Sequence, residues 1–189
     1  MAGLSLKRLN ETHPVEFYWH AFELRPEGAP RMSAEHRARI EAGRPIFAAR
    51  VKRDYGIELQ EGPSGINTRK LHVLKKFADE QDKGNEFHEA ALDAYWMNGL
   101  DVSDIQVQQD ILTQVGIGTP VAEILADAEY QNQVLVDERI AYENGMNGVP
   151  ALVFGEKYLV MGAQPLDVLK QVVEQVQQEM DAPNAQGAS

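Results

Sequence analysis

The 189-residue sequence contains no cysteine, and that absence removes several chemistries together. No disulfide can brace the chain, no thiolate can hold zinc, and no thiol of its own can act as a nucleophile. Long apolar runs are also missing. None approaches the roughly 20 residues that span a bilayer, and the opening nine residues lack the apolar core of a signal peptide, so no membrane partner and a cytoplasmic location are expected. Positive charge is scarce, with 18 Lys and Arg against 29 Asp and Glu and a net charge of -11. Nucleic acid and anionic lipid would be repelled by such a chain. There is no glycine-rich phosphate loop and no serine in a nucleophile-elbow setting. His13, His20, His36, His72 and His88 fall in no metal-ligand spacing and read as surface or packing residues, His88 on a polar helix face; no metal is expected.

What is present reads as one α/β core interrupted by a helical block. Leu4, Leu6 and Leu9 mark a helix beginning nearly at residue 1. Val15–Trp19 alternates apolar and mixed residues and is expected to be a strand. Residues 25–30 are rich in breakers and read as a loop. From Met32 to about Val115 the period is helical: a helix over 33–55 interrupted near Gly43-Arg44-Pro45, one capped by Asn67 or Thr68 and broken at 82–85, one ending near Gly99, and a short one after Ser103. Thr119 is expected to cap the next helix, with Pro120 as its first residue. That helix runs from Val121 to about Asn144, with Gly145 as its C-terminal cap. Leu166, Leu169, Val172, Val173, Val176 and Met180 give the last helix an apolar stripe. Residues 181–189 are expected to be a disordered tail. The acidic residues Glu123, Asp127, Glu129, Asp137 and Glu138 read as a solvated face, as do the basic clusters Arg50, Lys52, Arg53 and Lys75, Lys76.

The chain is organised around Asn147–Phe154 and its continuation through Gly155-Glu156-Lys157 to Pro165: a proline-led strand, a tight turn, a second strand and a helix start. Proline cannot donate to a ladder, so it belongs at a strand's first residue or on an edge. Val149-Pro150 has two readings that the residues leave equally open. It is a structural proline that starts a strand, or a cis turn whose backbone groups at Val149 face outward to pair with an extended peptide.

The combination Gly148-Val149-Pro150, Phe154-Gly155, Lys157-Tyr158, Val160 and Gly162-Ala163-Gln164-Pro165 resembles the thioredoxin-fold family typified by the disulfide oxidoreductase DsbA. It is most similar to the FrnE-like branch, which overlaps 2-hydroxychromene-2-carboxylate isomerases. Trp19–Leu24 looks like that branch's second strand, and Asn67-Thr68, His72 and Asp79–Asn85 like its helical insert. The resemblance implies a thioredoxin-like α/β fold with a large helical insertion at 31–115, a core from 1–30 and 116–180, and thiol-disulfide exchange at family level. It implies a peptide lying across Val149 and Pro150, opposite a Cys-x-x-Cys. That pair and the family's first strand match nothing here. Gly3–Leu9 looks like the helix that follows them, so an N-terminally truncated chain with its first strand missing is expected. The implied partners are thiol- or disulfide-bearing proteins or peptides, or glutathione as co-substrate, with no other cofactor; an exposed cleft left by the missing strand would allow a homodimer. Two alternatives follow. One is a glutathione-dependent isomerase, in which a serine can replace the cysteine, although Ser5 sits inside the helix. The other is a non-catalytic peptide-binding module using the proline loop.

Overall fold

A computed structural model describes residues 2–26, 28–30, 32–60 and 62–181; of the expected tail, residues 182–189 lie outside that set. In chain order the elements are α1 (Ala2–Asn10), α2 (Ala34–Tyr55), α3 (Arg69–Glu80), α4 (Gly84–Trp96), α5 (Ile105–Gln114), α6 (Val121–Ala126), α7 (Ala128–Glu143), β1 (Ala151–Phe154), β2 (Tyr158–Met161) and α8 (Leu166–Asp181). They fall into two compact units, residues 1–18 with 144–189, and residues 19–143.

In the first unit, β1 and β2 pair antiparallel with Ala151 opposite Met161 and Phe154 opposite Tyr158. Gly155 and Glu156 turn the chain with φ of 55° and 57°, and Lys157 N–H donates to Phe154 O. Positive φ at both central residues matches the right-handed twist of the flanking strands. The apolar stripe of α8 buries Leu169 and Val173, and α8 packs on both α1 and β1. Leu6 and Leu9 are the buried apolar residues of α1. Met180, the last position of the expected stripe, is exposed.

The second unit is helical. α3 lies at its centre, packed on α4, α6 and α7. Val73, Leu74, Ala78, Phe87, Leu112, Val121, Ile124 and Val134 form its core. Asp104 caps α5 by accepting from Gln106 and Val107 N–H, satisfying donors that have no partner within the helix.

Four local expectations are corrected. Val15–Trp19 keeps the expected alternation of half-buried and exposed residues but forms no strand. Its backbone has no ladder partner among the described residues, and a strand exists only where a neighbour pairs it. Helix α2 runs unbroken through Pro45; proline removes one backbone bond there without ending the helix. The expected Val121–Asn144 helix is two, α6 and α7, split at Asp127, whose extended backbone ends one and whose carboxylate accepts from Glu129 N–H (2.8 Å) to start the other. Pro120, not Thr119, occupies the cap of α6, and Val121 N–H is taken by Gln109 Oε1 at 2.9 Å. No helix among the described residues is long and apolar enough to cross a membrane.

Candidate functional site

Val149 and Pro150 lie at the mouth of β1, and the peptide between them is cis. Pro150 contributes its carbonyl to the sheet, accepting from Gly162 N–H at 2.8 Å. Val149 is 52% exposed, and among the described residues neither its N–H nor its C=O has a hydrogen-bond partner. Exposed backbone groups lose little by staying with water and gain a ladder when an extended segment arrives.

Around the same hairpin, the Glu179 carboxylate on α8 accepts from Lys157 Nζ and Tyr158 Oη on β2 and its turn, and from Gln175 at 2.7 Å. The hydrogen bond from Lys157, then those from Tyr158 and Gln175, hold its carboxyl down at about 2. These bonds tie the hairpin to α8 beside Val149's strand. Ser5, the isomerase candidate, is buried within α1.

The residue types read as solvated faces do not all stay on the surface. Glu123 and Glu129 are exposed, but Asp137 and Glu138 are buried on α7. Asp137 accepts from Ala21 N–H (2.7 Å), His20 Nδ1 (3.0 Å) and Lys76 Nζ (2.6 Å). Glu138 accepts from Glu23 N–H (3.1 Å), and Arg69 bridges Glu23 (2.9 Å) and Glu138 (3.6 Å). In an extended chain the N–H groups of residues i and i+2 point the same way. Two consecutive carboxylates therefore capture the donors of Ala21 and Glu23 and hold Trp19–Glu23 extended, with no ladder partner among the described residues, up to the bend at Leu24 and Arg25. Lys75, also read as solvated, is buried and pairs with Asp79 at 2.7 Å.

A signal for this network was present in the sequence. Tyr130, Val134, Asp137, Glu138 and Ala141 fall at i, i+4, i+7, i+8 and i+11, the positions of a single buried stripe. Acids on that stripe must be paired, and all five residues are indeed buried.

The histidines are likewise placed more specifically than the sequence suggests. His20 projects outward, 69% exposed at the side chain, oriented from behind by Asp137. His88, expected on a polar face, stacks on Trp19 with ring centroids 3.9 Å apart. Burial first, then the charge of Lys75, push it down to about 4. A histidine depressed in this way contributes stability that is full above the unfolded value of about 6.5 and declines as pH falls from there toward 4. The His88 ring-proton NMR shifts are therefore expected to stay flat from pH 8 to 5 while those of a free histidine titrate. A His88 midpoint above 6 would contradict the stack. Among the described residues no group of three or more His, Asp or Glu is arranged to hold a metal ion.

Comparison with known proteins bears on the fold and the family. The sequence matches the family described as DSBA-like thioredoxin domain over residues 2–174. The structure is similar to the crystal structure of a probable DsbA oxidoreductase from Streptomyces coelicolor, with a TM-score of 0.78 and 24% identity, covering 99% of this chain and 88% of that one. No curated protein matches by sequence.

Proposed function

The chain belongs to the DsbA-like thioredoxin-domain family, and from that premise we propose that it is a FrnE-like member that docks an extended thiol- or disulfide-bearing peptide at Val149 and Pro150. The observation that carries the reading is the exposed Val149, whose two backbone groups are unpaired at the mouth of a strand. The activity associated with the family is thiol-disulfide exchange. That step needs a thiolate nucleophile, and none of the 189 residues supplies one. Docking is the part of the process that these residues perform. Glutathione, which presents a thiol on a peptide-like backbone, is a small candidate of this class.

Two measurements test the reading. In an insulin-reduction assay this chain gives no turnover above the uncatalysed blank, and measurable reduction would refute the assignment of docking alone. A fluorescent thiol-bearing peptide binds, and Val149→Pro, which removes the N–H, weakens it about tenfold, the upper end of what one hydrogen bond contributes. Equal affinity in parent and variant, with matching circular dichroism, would remove Val149 from the site. Glutathione titrated by calorimetry against the parent and Pro150→Ala separates a loop that holds any peptide-like thiol from one that needs a longer chain.

A further inference from the structure

Val51 is the one buried residue of the 22 in α2, and every position from Ala34 to Ala42 is exposed. The middle of the helix is anchored. Ser64 donates to Glu41 (3.2 Å), Arg44 donates to Gly62 O (3.0 Å), and the Phe47 and Trp96 rings lie 5.7 Å apart. The turns before Gly43 have local supports. Ser33 accepts from His36 N–H at 3.1 Å, and Arg39 pairs with Glu35 at 3.3 Å. Gly43 and Pro45 both weaken the helix between that outer segment and its anchor. Helices draw most of their stability from packing, so the outer segment gains most from a surface that covers it.

Charge is segregated in the same way. α2 carries six Arg and Lys against three Asp and Glu, leaving 12 against 26 in the rest of the chain. Arg39, Ala42, Ile46, Arg50 and Arg53 follow one another at intervals of three and four, which places them on a single helix face. At its centre Ile46 is 73% exposed. The arginines pair with Glu35 and Asp54 on their own helix, in exposed contacts that are exchanged at little cost.

α4 carries the complementary stripe. Glu86, Glu89, Asp93 and Trp96 recur at the same intervals, and all four are exposed. The three carboxylates border a groove of about 640 Å³ whose other wall is the C-terminal end of α5 around Val115. A helix C-terminus adds partial negative charge. Lys83 at the groove's end is paired with Glu86 at 3.2 Å. Two stripes of equal spacing and opposite charge pack as facing helices. Run antiparallel with Ile46 against Trp96, they bring Arg50 to Asp93 and Arg53 to Glu89.

We propose that the basic face of α2 docks on the acidic α4–α5 groove of a second copy, reciprocally about a twofold axis. Each copy carries both surfaces, so one contact implies its mate. The net charge of -11 does not prevent this: repulsion between whole molecules is screened beyond about 8 Å at physiological salt, while apposed charges still attract. The surface shares no residue with Val149 and Pro150, so its failure leaves the peptide-docking reading untouched.

Sedimentation equilibrium of the full chain tests it. The parent dimerises, and its dissociation constant rises about tenfold from about 50 to about 500 mM sodium chloride. Arg50→Glu with Arg53→Glu, and separately Glu89→Lys with Asp93→Lys, are monomeric at concentrations where the parent is dimeric. Mixed one to one, the two variants dimerise again, because both contacts of the mixed pair become complementary. Amide exchange at Ile40 and Ile46 slows as parent concentration rises. Should a charge-reversed variant fail to fold, Arg53→Gln and Glu89→Gln carry the test, each weakening the dimer about threefold. A parent that stays monomeric to about 1 mM overturns the proposal. So does a dimer indifferent to salt, or one that the charge reversals leave intact. A mixture that stays monomeric while both components keep their helical circular dichroism also overturns it. Binding of a polyglutamate peptide by a monomeric parent assigns α2 to another acidic partner, and overturns the second copy.

Discussion

Asp137→Ala is expected to destabilise the unit of residues 19–143 by about 3–5 kcal/mol, the range for removing one partner of a buried charge network. The carboxylate holds three donors from two other segments: Ala21 N–H and His20 from the extended chain, and Lys76 from α3. Alanine leaves the Lys76 ammonium, 13% exposed at its side chain, without its counter-charge. It also leaves the buried Ala21 N–H unpaired. Exchange protection across α3 and α7, and a urea midpoint read by a probe within this unit, report the loss. Destabilisation under 1 kcal/mol would mean that water replaces the carboxylate at no cost.

The same residue gives a pH dependence of defined sign. Burial alone would raise its carboxyl, but the bonds from His20, Lys76 and Ala21 outweigh burial and hold it at about 2. The difference from the ordinary 3.8 corresponds to about 2.5 kcal/mol in favour of the ionised folded form. Because the folded value is depressed, that stability is fully present above about pH 4 and is lost as pH falls through 2. Asp137→Asn keeps an acceptor for Ala21 but carries no titrating proton. Its stability is lower than the parent's at neutral pH, and its decline between pH 4 and 2 is shallower. Parallel acid profiles for parent and Asn variant would exclude Asp137 as the titrating group.

Gly155→Ala is expected to cost the hairpin unit about 2–4 kcal/mol. One part is conformational, since φ is +55° and a left-handed backbone costs an L-residue about 1–2 kcal/mol. The larger part is contact. A Cβ at this position would lie 2.7 Å from Val176 Cγ1 on α8, and valine's χ1 is too stiff to turn away cheaply. Glu156 separates the two parts: it already carries a side chain at φ 57°, so left-handed geometry alone is tolerated in this turn. The double variant Gly155→Ala, Val176→Ala removes the clash and is expected to recover more than 1 kcal/mol relative to additivity. Exchange at Leu152 and Val160 reads the hairpin directly. A Gly155→Ala protein with unchanged protection there would show that the strands shift freely against α8.

Much of the helical framework was legible from sequence. The stripe of α8, the cap-and-break punctuation around α3 to α5, and the proline-led hairpin are local patterns, set by side-chain periodicity and turn chemistry within a few residues. The Val149-Pro150 loop stood out for the same reason. Local pattern misleads in two ways: where the deciding partner is distant in sequence, and where a local capping bond wins over continuation of a helix. Val15–Trp19 has the alternation of a strand, but alternation describes one chain and a ladder needs two. Asp127 splits a continuous helical period because its carboxylate serves the next helix better than its backbone continues the first.

The sequence by itself determined the family, the α/β composition with its large helical share, the exclusion of thiol chemistry from these 189 residues, and the prominence of Val149 and Pro150. Each follows from residue identity or short spacing. Only the tertiary structure decided that Asp137 and Glu138, 116 and 115 residues from Ala21 and Glu23, hold an extended segment in place of a strand. Only it decided that His88, expected on a polar helix face, stacks on Trp19. The physical reason is common to both: a buried carboxylate and a stacked ring are defined by what lies beside them in space, and pairing over such separations is not written in local periodicity.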